Sequence, residues 1–189
     1  KYLSDTQDLV RQGKHQEALE RFLWFHDHAL EHTPSMYGVR LSFALSYWKQ
    51  LGEVYPPAVT ALKKTRDDKT ALLLNGKGNH SLFHDVTAIN RTLEDDSKTV
   101  DLFRKLDQEQ GELAVVCWDT AKEAVIKAKA YDLARKYIGN PVREFGKLKE
   151  MYDMNTAMYG GKNFGEHFKP YNENNFVEEV IRLIDVAVA

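Results

Sequence analysis

Apolar residues along the chain recur at three- and four-residue spacing, and almost no segment alternates with period two. That spacing gathers them on one face of a helix and leaves no strand pattern. Breakers interrupt the runs at short intervals: Gly13, Pro34, Gly52, Pro56-Pro57, Gly76 and Gly78, Gly111, Gly139 to Pro141, then Gly160-Gly161. The pattern predicts helices over 3–12, 14–32, 35–51, 56–74, 80–93, 96–109, 112–128, 130–138, 141–158 and 174–187. Pro56-Pro57 suits a helix start, where a missing N–H costs nothing. Thr33 precedes a proline and avoids helical geometry, so the second helix ends there. Asp95 or Asp96 is expected to cap the helix that follows by accepting its free N–H groups.

The helices repeat. Gly13, His15, Ala18 and Phe22 place a turn, a ring, a small residue and a bulky residue in order, and Lys129, Tyr131, Ala134 and Ile138 do the same. Gly52 and Tyr55 open a third copy, which sets a period near forty residues, the mark of stacked helical hairpins. A small residue lets two helices approach, and the rings fill the space between neighbouring hairpins.

These residues resemble the tetratricopeptide repeat. Gly13, His15, Ala18, Leu19 and Phe22 match the opening of its second helix. Leu41, Ala44, Leu45, Trp48 and Gly52 fit its first helix, and Trp118, Ala121, Val125, Tyr131 and Ala134 fit the spaced places of a later copy. The resemblance implies an all-α fold, one domain over 1–189. Stacked antiparallel hairpins (a TPR-like α-solenoid) fill 1–159, an aromatic and glycine-rich strap fills 160–173, and a capping helix fills 174–187. It also implies binding of a protein or peptide in a groove lined by the first helix of each pair. Carried onto this chain, the groove residues are Ser42, Phe43, Ser46, Lys49 and Gln50, then Asp119, Thr120, Glu123 and Lys127. Ser42 and Ser46 stand where chaperone-binding repeats carry a cation and an amide, which argues against capture of a chaperone tail.

Composition narrows the partner. Hydrophobic residues make up 43% and charged residues 29% of the 189, with a net charge of -2 and the signs interleaved. No basic stripe marks a nucleic-acid surface, and no apolar run reaches the ~18 residues of a membrane span. No cofactor fingerprint is present: Asn75 to His80 is glycine-rich but joins two helices and reads as a turn between hairpins. The single cysteine, Cys117, has apolar neighbours and reads as a buried small hydrophobe. A lone cysteine suits a reducing compartment, and the expected location is cytoplasmic.

The densest chemistry is Phe25 to His32, with three histidines and two acids. His28-Ala29-Leu30-Glu31-His32 matches the H-x-x-E-H zinc signature, so a metal-dependent hydrolase on His28, Glu31 and His32 stands as an alternative function. Helical phase places His26 amid Ala18, Leu19, Phe22 and Leu30, as a core histidine. His28 and His32 fall on another face beside Arg21 and Phe25, so the three cannot converge on one ion. The main reading is therefore a solvated face with no metal. A small-molecule sensor with a pocket inside the superhelix is the other alternative.

Two C-terminal features suggest contact with a partner. Tyr159, Phe164, Phe168 and Tyr171 lie in a stretch whose glycines read as irregular, and such rings dock on something. The tail 174–187 is apolar over more than half its girth. It is expected to cover the hairpin that carries Met151, Met154 and Met158, with a homodimer through this helix as its other use.

Overall fold

The structure, a computed structural model, describes the backbone of residues 1–159 and 165–189 and the side chains of residues 1–159 and 168–189. Among the described residues every regular element is a helix, as the three- and four-residue spacing requires. Among those residues no helix is long and apolar enough to cross a membrane. The chain divides into two compact units, Lys1–Ala121 and Lys122–Ala189.

The first unit holds α1 (Tyr2–Arg11), α2 (His15–His32), a 3-10 turn (Pro34–Met36), α3 (Tyr37–Leu41) and α4 (Phe43–Val54). It continues through α5 (Pro56–Leu74), α6 (His80–Thr92), α7 (Asp96–Glu109) and the start of α8 (Gly111–Lys127). Neighbours in the chain pack together, α1 on α2, α4 on α5, α5 on α6 and α6 on α7. Helices two apart also touch, α4 with α6 and α5 with α7. The core gathers Ala18, Phe22, Leu45, Trp48, Leu62 and Ile89, all buried. Phe22 and Trp48 stack in parallel at 6.4 Å. The indole N–H of Trp48 donates to the Ala58 carbonyl at 2.9 Å, so the largest core side chain buries no orphaned donor.

The second unit holds the end of α8, α9 (Tyr131–Ile138), α10 (Pro141–Tyr159) and α11 (Gly165–Val188). Its main packing is α10 against α11, and α11 also meets α9. Asn172 of α11 is buried and donates to the Tyr152 carbonyl at 3.2 Å and to Thr156 Oγ1 at 2.9 Å, which ties the two helices.

The turns repeat more faithfully than the sequence does. After α1, Gly13 takes φ +75°. The Gly13 N–H donates to the Val10 carbonyl, and that of Lys14 to the Leu9 carbonyl. That pair of bonds is a Schellman cap. The same pair recurs at Gly76–Lys77, Glu94–Asp95 and Lys129–Ala130. Glu94 and Lys129 adopt φ +59° and +57° without being glycine. The alanines three residues after the ring, Ala18, Ala58 and Ala134, are all fully buried.

Several expectations need correction. The helix expected over 35–51 is broken at Ser42, which leaves helical geometry at φ -124° and ψ -90° and separates α3 from α4. Gly52 opens no turn. It lies inside α4 because α5 crosses closely there, and a Cβ on it would sit 2.1 Å from Val59 Cγ2. The Asp95 carboxylate caps no N–H of α7, because it accepts from Arg66 at 3.1 Å and from Ser97 at 3.2 Å instead. Phe25 is buried rather than outside, since Tyr2 of α1 stacks on it at 5.5 Å and covers a second side of α2. The last helix begins at Gly165, not near 174, and carries Pro170 inside it. Ring contacts of Phe168 with Tyr159 and Tyr171, and the Asn172 bonds to α10, hold residues that local composition marks as irregular. Met151, Met154 and Met158 stay exposed although α11 is in place, and α11 holds α10 instead through Phe176 on Tyr152 and Asn172 on Tyr152 and Thr156.

Candidate functional site

Three elements of the first unit bring charge into its interior. Arg40 from α3 and Asp85 from α6 are both buried. Arg40 grips the carboxylate with two nitrogens, Nη1 donating to Oδ2 at 3.0 Å and Nη2 to Oδ1. Its Nη1 also donates to the carbonyl of His26 on α2 at 3.1 Å. From α5, Lys69 Nζ donates to Asp85 Oδ2 at 2.7 Å. Burial by itself would raise the Asp85 carboxyl, but the hydrogen bonds from Arg40 and Lys69 outweigh it and hold the group below the usual carboxylate range.

His26 completes the cluster without bonding to it. Its Nε2 lies 3.9 Å from Asp85 Oδ2, beyond hydrogen-bond reach, and among the described residues neither ring nitrogen has a partner. Burial, then the charges of Lys69 and Arg40, push the imidazole down to about 3, against the opposing pull of Asp85. It is a neutral ring at physiological pH. Arg40 Nε is likewise buried without a partner.

These groups line a pocket of about 370 Å³. His26, Arg40 and Asp85 form its buried floor. Lys69 stands partway up, Asp27, Lys77 and Ser81 stand at the exposed rim, and Leu30, Leu72 and Leu82 supply apolar wall. The loop from Asn75 to His80 closes one side. Gly78 is required there, because a Cβ would meet Leu73 Cδ2 at 2.5 Å. Asn79 caps α6, its Oδ1 accepting from the Leu82 N–H at 3.0 Å, so the positive end of a 13-residue helix faces the pocket's lining. Nearby, His84 bonds Tyr37 across 2.9 Å. Burial, then His80, lower its basicity.

The histidines of the H-x-x-E-H match serve a different end. The rings of His28 and His32 each stand 5.6 Å from Trp24, one turn apart along α2, and Trp24 itself is 41% exposed. His28 Nδ1 meets Glu31 Oε1 at 3.1 Å. Among the described residues no three His, Cys, Asp or Glu side chains are grouped so as to hold a metal.

The groove residues fall on two helices. Phe43, Ser46 and Gln50 share the exposed face of α4, where Phe43 leans on Tyr47, and Ser42 stands at the break before it, its Oγ donating to the Gly38 carbonyl at 2.7 Å. Lys49 on the same face pairs with Glu94 at 2.5 Å. On α8, Asp119 and Thr120 precede the unit division, with Thr120 Oγ1 3.0 Å from His80 Nε2. Glu123 and Lys127 follow it on exposed positions. Of the strap residues, Tyr159 and Tyr171 are exposed and Phe168 lies between them, while Phe164 falls outside the described residues.

The second unit presents an apolar stripe of its own. α11 turns Leu183 and Val186 inward, but Val177, Ile181, Ile184 and Val188 are more than half exposed. Their four-three-four spacing is that of a helix-pairing seam. Glu178 and Asp185 flank it, and Arg182 beside it is bound to Glu179 at 2.6 Å and pairs with Glu178 at 3.7 Å, which leaves the strip acidic on balance.

Sequence reasoning missed Arg40, Lys69 and Asp85. The available signal was a charge on an apolar stripe: Asp85 sits among Phe83, Val86 and Ile89, and only a buried partner accounts for it. A scan against protein-family models, a search of curated proteins and a search of solved structures return no match.

Proposed function

We propose that the chain is an interaction module of stacked, tetratricopeptide-like helical hairpins that holds a helical segment of another protein and performs no bond chemistry. The fourfold Schellman turn, the buried alanines at matching places and the contacts between helices two apart all support layered hairpins. The observation that carries the binding reading is the outward seam of α11. A helix that already buries one apolar stripe has no folding reason to keep a second in water, and such a stripe marks a partner surface. The acidic flanks of Glu178 and Asp185 favour a partner helix with lysine or arginine beside its own seam. They disfavour a second copy of α11, which would bring like charges together. The α4 face bearing Phe43 and Gln50 is a second contact surface of the same module.

Fluorescence anisotropy with two designed amphipathic helices tests this reading. Both carry leucine at the seam, one with lysine and one with glutamate flanks. The full chain should bind the lysine-flanked helix and not the other, and Ile181→Glu with Ile184→Glu should abolish binding. A full-length dimer in light scattering that the same double variant turns into a monomer would assign the seam to self-association instead.

A further inference from the structure

Beyond that interaction surface, the first unit has a pocket whose chemistry the hairpin reading does not use. We infer that the pocket between α2, α3, α5 and α6 binds a small monocarboxylic acid with an aliphatic body.

The first ground is unmet hydrogen bonding. His26 is 3% exposed, lines the pocket and leaves both ring nitrogens without partners, and Arg40 leaves Nε so. Buried polar atoms are satisfied in folded proteins, and each left open is a cost that a bound molecule can remove once the wall shifts to admit it. A neutral imidazole offers one donor and one acceptor.

The second ground is charge. Arg40, Lys69 and Lys77 face only two carboxylates, Asp27 and Asp85. Asp85 is already engaged by Arg40 and Lys69, while an ammonium carries three hydrogens. One negative charge closes the balance, and the positive end of α6 favours it further. A phosphate monoester, with about two negative charges at neutral pH, would exceed that balance. A carboxylate does not.

The third ground is size and lining. About 370 Å³ lies at the low end of small-ligand sites, too small for a peptide segment laid across it. Leu30, Leu72 and Leu82 offer contact to a short hydrocarbon, not to a sugar or a base.

Isothermal titration of the full chain with isocaproate, isocaproamide and inorganic phosphate tests the inference. Melting curves run in parallel. Isocaproate should bind and raise the melting temperature, and the amide and phosphate should do neither. Lys77→Ala, at the exposed rim, should fold normally and weaken isocaproate binding about ten-fold, the loss of one charge-assisted contact. Lys69→Met should abolish it. Four results would overturn the inference: no binding of isocaproate to the wild-type chain, equal binding of acid and amide, tighter binding of phosphate, or unchanged affinity in Lys77→Ala. A leucine-terminated peptide with a free carboxylate that binds more tightly than isocaproate would overturn the small-molecule assignment.

Discussion

Arg40 and Asp85 are separated by 45 positions in the chain, yet they meet as a two-pronged guanidinium–carboxylate pair in the interior of the first unit. Removing one partner of such a pair strands the other charge away from water. Asp85→Asn should therefore cost about 3–5 kcal/mol in a urea melt. A loss below about 1 kcal/mol would mean that the pair is open to solvent.

Stability should fall in mild acid because of His26. Its folded-state value of about 3 lies below its ordinary 6.5, so the unfolded chain takes up a proton that the folded chain refuses. The stabilisation is complete above about pH 6.5 and drains away as pH falls toward 3, with about 2 kcal/mol gone by pH 5. Lys69, Arg40 and Asp85 face the ring, the first two opposing its protonation and Asp85 favouring it. Asp85, itself held low, adds loss in the same direction at lower pH. Melts between pH 5 and 7 on wild type and His26→Leu check this, and the variant should show the shallower slope.

His28→Ala and His32→Ala should each change stability by no more than about 0.5 kcal/mol, as for ordinary surface sites. Both rings lie against a partly exposed Trp24 rather than in the core. Stoichiometric zinc that survives dialysis and disappears with His28→Ala would contradict this.

Gly52→Ala sets two effects against each other. Alanine is the better helix former by about 1 kcal/mol. The new methyl would press on Val59, whose branch is too short to swing far, and overpacking costs about 1–3 kcal/mol. The variant should lose stability on balance, and adding Val59→Ala should restore part of it. A stabilised single variant would show that α4 and α5 stand further apart.

Ala18→Leu and Ala134→Leu should each cost about 1–3 kcal/mol by the same crowding. Both alanines are fully buried at matching places after a Schellman turn. Thermal melts that leave either variant unchanged would remove that copy from the repeat.

What could be read from the sequence was what local forces decide. Helix ends at Pro34 and Pro56 follow from backbone chemistry, and α5 to α10 begin and end within two residues of their expected places. The Ala18 and Ala134 correspondence was legible because helix packing repeats small residues. Ser42 was not, since nothing in its neighbours forbids a continuous helix. The cluster at Asp85 was out of reach for another reason. Arg40, Lys69 and Asp85 come from three helices, and their meeting depends on tertiary packing that no spacing rule encodes. His26 could be placed in the core by its phase on α2, but its lack of partners could not be foreseen.

The sealed thiol of Cys117 has a practical consequence. It is fully buried on α8, and burial raises its pKa to about 11. An alkylating reagent needs a thiolate in contact with solvent, so in the native chain it must wait until α8 opens. With one cysteine in the chain, the labelling rate becomes a clock for a single event, with no second site to confuse the signal. Anything that tightens the first unit around α8 should slow that clock.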